Sequence, residues 1–122
     1  MTFSKWVFAV AGVWGVLVVP PLYFLFDTVG RMNPPAVTHP EFYYGFIAVT
    51  LAWQLAFFVI ASDPARFRLL MLPAICEKML YVATLVTLSI QGRIATSQLP
   101  FGAVDFLLGA LFIAAYLRTK SA

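Results

Sequence analysis

Residues 69–90 read LLMLPAICEKMLYVATLVTLSI, a continuous run with only two charges, the adjacent Glu77 and Lys78. A helix of roughly 20 apolar residues crosses a hydrocarbon core of about 30 Å at 1.5 Å per residue. The stretch is therefore a membrane span with one costly interruption. Three more runs of the same kind lie around it, from about Trp6 to Phe26, Phe42 to Ala61 and Leu99 to Leu117. Together they use most of the 122 residues and leave one longer connection, Asp27 to Glu41, with two short ones. Short connections make neighbouring helices antiparallel. The expected fold is an all-α, antiparallel four-helix bundle forming a single integral membrane domain over residues 1–122.

Composition agrees with that reading. The chain is 62% apolar and 11% charged, against about half and about a quarter for a soluble domain. A soluble monomer is excluded. The first run is not read as a cleaved signal peptide, because it continues to Phe26, beyond the roughly 7 to 15 apolar residues of such a core. Orientation follows from the cationic flanks, which tend to stay cytoplasmic. Lys5, Arg66, Arg68, Arg118 and Lys120 fall on one side, Arg31 and Arg93 on the other. Both termini are therefore expected in the cytoplasm. The net charge of +3 is this flank bias together with attraction to anionic lipids, and gives no reason to invoke nucleic acid.

Several polar residues have structural explanations. Thr38-His39-Pro40-Glu41 fits a capping box, with Thr38 and Glu41 satisfying backbone donors and Pro40 in the first turn. Asp63-Pro64 reads as the cap and start of the third span. Pro20-Pro21 removes two N–H donors within the first span and predicts a kink or an opened outer half. That kink sets Tyr23 and Asp27 one turn apart, beside an outer loop, Arg31 to Pro35, long enough to act as a lid. Trp6, Tyr43, Tyr44 and Tyr116 near span ends read as an interfacial aromatic belt.

The informative positions are the charges inside the third and fourth spans, since an ionised group at the bilayer centre costs about 2.5 to 3.5 kcal/mol. Glu77 lies roughly 13 Å from the boundary marked by Arg68, close to the midplane. At 100° per residue, Glu77, Lys78, Tyr81 and Thr84 share one arc of about 120° that should face the bundle interior. The last span carries Gly102, Asp105, Gly109, Phe112 and Tyr116 along one stripe, and the second carries Tyr43, Ile47, Thr50, Gln54 and Phe58 along another. The three stripes are expected to converge, bringing Gln54, Glu77 and Asp105 together. Gly102 and Gly109 permit close approach of a neighbouring helix or leave room for a ligand beside Asp105. Lys78 can neutralise one of the two acids, so the other is expected to hold a proton part of the time unless water or a partner helix compensates it. Intramembrane acids of this kind serve proton transfer or ligand binding, and equally a purely structural network that locks helix packing.

Other templates find no footing. Cys76 is the only cysteine and reads as a small apolar filler, and His39 is the only histidine. Neither a metal site nor a cofactor is expected, and no phosphate loop or dinucleotide fingerprint is present.

Asp63-Pro64, Arg66, Arg68, Pro73, the intramembrane Glu77-Lys78 with Tyr81, and a glycine-containing last helix give the chain a resemblance to the small DoxX-like bacterial membrane proteins, over about residues 42 to 118. That resemblance implies a bacterial inner (plasma) membrane location. More distantly the chain is similar to the EXPERA fold, whose sterol-isomerase members use a membrane cavity lined by acids, His and Trp; Glu77, Asp105 and Trp53 would fill comparable places. His39 is followed one turn later by Tyr43 rather than by an acid, so isomerase activity is not carried over. Small multidrug-resistance transporters are similar in size, but their essential acid lies in the first helix, where Val10 to Val16 has none.

Two functions are expected from these residues. In the first, the bundle encloses a narrow pocket, open toward the outer leaflet, that binds a lipophilic molecule such as a quinone, isoprenoid or lipid. Glu77, Lys78, Tyr81, Asp105 and Gln54 line it, and acid–base chemistry on the ligand is left open. In the second, the chain is an accessory subunit that packs, as a homo-oligomer or in a larger membrane complex, through faces such as Phe57, Phe58 and Ile60.

Overall fold

The computed structural model describes residues 2–120. Helix α1 (Thr2–Val18) runs into a 3-10 turn (Pro20–Phe24), followed by the short α2 (Phe26–Met32). Then come α3 (Pro40–Ser62), α4 (Met71–Ile90) and α5 (Leu99–Arg118), with 3-10 turns at Arg68–Leu70 and Thr96–Gln98 leading into the last two. Among the described residues there is no strand. Four segments, Thr2–Phe24, Pro40–Ser62, Arg68–Ile90 and Thr96–Arg118, are each long and apolar enough to cross a membrane.

Local chemistry explains where these elements break. Pro20 and Pro21 cannot donate to the preceding turn, and the α-helix gives way to the tighter 3-10 turn at that point. Leu22 O then accepts both Leu25 N and the Tyr43 hydroxyl, the latter at 2.6 Å, which ties the opened end of the first span to α3. Tyr43 is thus a cross-helix fastener rather than a simple member of an aromatic belt. The Asp27–Glu41 connection is not one loop: α2 occupies its first half.

The capping box at Thr38 does not form. Helix α3 starts at Pro40 with His39 as its N-cap and no side-chain cap bond. A residue before proline is held extended, and His39 adopts φ −121°, ψ 82°, which moves Thr38 out of capping register. Glu41 instead faces His39, 3.3 Å from Nδ1. Asp63 does cap: its Oδ1 accepts Arg66 N at 3.3 Å. What it caps is a single turn, and the regular helix begins only at Met71.

Packing is uneven around the molecule. Helix α1 lies along α3, α4 lies along α5, and α1 and α5 join the two pairs, whereas α3 and α4 scarcely touch. The shared core is three phenylalanines from three helices: Phe8 stacks on Phe112 at 4.2 Å between centroids, and Phe57 meets Phe112 edge-on at 5.0 Å. Lipid tails are as apolar as these side chains, so helices in a membrane associate mainly through close van der Waals fit and internal polar contacts. Gly15 supplies such a fit between α1 and α3, since a Cβ there would collide with the Gln54 side chain.

One end of the molecule is tightly knotted. Ser4 Oγ donates to Ala115 O at 3.3 Å and shares a 2.5 Å hydrogen bond with the Thr119 hydroxyl. Arg68 Nε donates to Thr119 O at 2.6 Å and Tyr116 O at 3.2 Å, with its guanidinium 3.7 Å from the Tyr116 ring centroid. Arg68 therefore satisfies carbonyls at the end of α5, where the helix dipole also favours a cation. From sequence alone Arg68 marks only the boundary of the span. These contacts gather the start of α1, the start of α4 and the end of α5, and with them the flanking cations, at one end.

Candidate functional site

The most unusual residue of the interior is Lys78. It is only 4% exposed, and a lysine is almost never buried unless its charge is answered. Helix α4 buries Met71, Ala74 and Lys78, one helical stripe, so the position is dictated by the same periodicity that buries the apolar neighbours. The ammonium lies 3.4 Å from Asp105 Oδ1 on α5 and 3.6 Å from Glu77 Oε2 on its own helix. Its Nζ is also 5.2 Å from the Phe57 ring centroid of α3, a cation–π distance. One cation thus serves two carboxylates and a ring from three helices.

Close backbone approach makes the Asp105 contact reachable. At Gly109 on α5 a Cβ would meet Met79 and the Lys78 Cβ, so α5 can lie near enough for Asp105, one turn away, to receive the ammonium. Gly102 plays the same part further along, beside Leu85. The space next to Asp105 is taken by α4 itself.

The two carboxylates are not equivalent. Asp105 forms a hydrogen bond with Lys78 across the closed α4–α5 seam. Glu77 Oε2 is buried without any hydrogen-bond partner. On the helical wheel Glu77 sits on the side of α4 opposite Met79, and Met79 meets α5. Tyr81, one turn from Glu77, faces Phe46 of α3 at 6.3 Å. Glu77 and Tyr81 therefore face the α3–α4 seam, where the two helices barely meet. A hollow of about 320 Å³ lies on the first half of α3, lined by Glu41, Phe42, Gly45, Phe46, Val49 and Thr50, all of that helix; Phe46 alone of these also stacks on Tyr81 of α4.

Four expectations need correction. Gln54 does not converge with the charges: it is 1% exposed, its Nε2 donates to Thr50 O at 2.8 Å, and its Oε1 lies unpaired against Gly15 of α1. The backbone gap left by Gly15 draws the side chain that way, a signal legible in the small-residue spacing Ala11-x-x-x-Gly15. Thr84 does not face the interior either; it is exposed, with its hydroxyl turned back to Leu80 O. The face Phe57, Phe58 and Ile60 is not available to a partner, because Phe57 and Ile60 are fully buried in the core. Cys76, read as a filler, is exposed on the outside of α4.

A second hollow, of about 370 Å³, lies at the end opposite the termini, against α2 and the start of α3. Tyr23 and Asp27 line it, as their one-turn spacing suggested. No family model, curated protein or solved structure matches this chain.

Proposed function

We propose that the protein is an integral membrane four-helix bundle, its spans antiparallel and both termini cytoplasmic, that binds a lipophilic molecule with a polar head at the α3–α4 seam. The ligand's tail lies along Phe42, Gly45, Phe46 and Val49, and its head meets Glu77 and Tyr81. Lys78 and Asp105 act behind Glu77, holding it in place and setting its charge. The observation that carries this reading is the buried Glu77 Oε2, which has the Lys78 ammonium at 3.6 Å but no hydrogen bond, on the side of α4 that packs least against its neighbours. A buried carboxylate oxygen without a hydrogen bond costs free energy, and a ligand donor would recover it. Gln54 drops out of the ligand set and serves the α1–α3 contact. The same proposal takes in the DoxX-like resemblance and a bacterial inner membrane, supported by four spans and by the gathering of the cationic flanks at one end.

Native mass spectrometry of the protein released gently from its own membrane tests it. A discrete added mass of a few hundred daltons is expected, lost in Glu77→Gln and weakened in Asp105→Asn while both variants remain in the membrane. Retention unchanged in both overturns the proposal, and a stoichiometric protein partner without such a ligand favours the accessory subunit.

A further inference from the structure

The hollow at the end away from the termini carries charges of both signs that do not pair with each other. Asp27 and Arg31 stand one turn apart on α2, a spacing at which an acid and an arginine commonly form a surface pair. Among the described residues no salt bridge joins them; Arg31 Nη2 instead donates to Thr28 Oγ1 at 3.2 Å. Both charged groups line the same hollow of about 370 Å³. Its remaining wall is aromatic: Tyr44 lies nearly parallel to Phe26 at 5.3 Å and to Tyr23 at 6.0 Å. These rings are fixed from below, since Phe26 and Tyr44 also meet Tyr43 edge-on, and Tyr43 is anchored to Leu22 O.

A carboxylate beside aromatic rings favours an ammonium group, and a guanidinium beside a hydroxyl favours a phosphate. The position, where the first span ends, is the depth of lipid headgroups. Phe24, at the rim, is 88% exposed and turned toward the surrounding medium, where an acyl chain would lie.

We propose that this hollow binds the headgroup of a zwitterionic phospholipid, with Asp27 and the Tyr23–Tyr44–Phe26 wall taking the ammonium and Arg31 with Thr28 taking the phosphate. The charge complementarity fits this occupant better than an anionic lipid such as phosphatidylglycerol, which offers the phosphate to Arg31 but no cation to Asp27. The site is separate from the Glu77 seam and does not depend on it.

The test uses the full chain reconstituted in vesicles of equimolar phosphatidylethanolamine and phosphatidylglycerol, with retained lipid read by native mass spectrometry. The wild-type protein is expected to keep phosphatidylethanolamine over phosphatidylglycerol by about fivefold, the worth of one charge-assisted contact at an interface. Asp27→Asn should erase that preference while retaining phosphatidylglycerol, and Arg31→Gln should reduce retention of both lipids. Both side chains are exposed, so neither change threatens the fold. Glu77→Gln should leave the preference intact, which separates this site from the seam. No enrichment in the wild type, or an unchanged preference in Asp27→Asn, overturns the proposal. So does displacement of the bound lipid by soluble phosphorylethanolamine at equal concentration, because that result would make the occupant a free zwitterion.

Discussion

Helix α4 has two flanks with opposite characters. Toward α5 it is closed: glycines bring the backbones together, Met79 packs on Gly109, and Lys78 reaches Asp105 across the seam. Toward α3 it is open: beyond the Phe46–Tyr81 and Lys78–Phe57 contacts little joins the two helices, and α3 carries a hollow of its own that includes Phe46. The two flanks show that sequence neighbours need not be packing neighbours. Helices α3 and α4 follow one another across a short connection, yet α3 spends its small-residue complementarity on α1 and α4 spends its own on α5. Close fit is what holds helices together in lipid, so the seam without it remains available to something else.

The contrast can be broken most sharply at Lys78. Lys78→Met leaves two carboxylates without their cation and is expected to cost about 3 to 5 kcal/mol, read as a large loss in reversible unfolding in mixed detergent. The same substitution in a Glu77→Gln, Asp105→Asn background should cost far less, and an equal cost in both backgrounds would show that Lys78 matters only for its packing.

On the closed flank, Gly109→Leu should push α5 away from Met79 and Lys78 and cost about 1 to 3 kcal/mol, the usual range for overpacking. If unfolding of Gly109→Leu matched the wild type, the closeness of that seam would be unimportant. A comparable loss, about 2 kcal/mol, is expected for Arg68→Ala, which strips the end of α5 of its donor and of the ring stack on Tyr116. Arg68→Lys should recover only part of it, because a lysine lacks the planar fork; full recovery would reduce the role of Arg68 to charge alone.

The smallest change in stability belongs to the open flank. A Cβ at Gly45 meets nothing within 4 Å, so Gly45→Leu should be neutral in the unfolding measurement to within about 0.5 kcal/mol. It should nevertheless fill part of the hollow and displace the retained small molecule in native mass spectrometry. A large destabilisation by Gly45→Leu would mean that α3 and α4 close over that position.

Much of the site was legible in the sequence because intramembrane charges are rare and costly. Glu77, Lys78 and Asp105 stand out on charge alone, and helical periodicity puts Lys78 on the buried stripe with Met71 and Ala74. Gln54 turns to α1 for a reason the sequence of α3 does not carry. Periodicity gives the face of α3 on which a residue lies, but not which neighbour that face meets, and Gly15 settled the matter from a different helix. Phe57 and Ile60 are buried, not on an outer face, for the same cause. In a uniformly apolar helix, the buried and lipid-facing sides have the same composition.

By itself the sequence determined the number of spans, their approximate limits, the break at Pro20-Pro21 and the three costly charges, because each follows from length, from a missing donor or from the expense of burying an ion. Only the tertiary structure decided which helices pair, which of the two acids takes the hydrogen bond from Lys78, and which seam stays open. Those outcomes depend on where the small residues of one helix meet the large residues of another, and one-dimensional periodicity carries no record of that meeting.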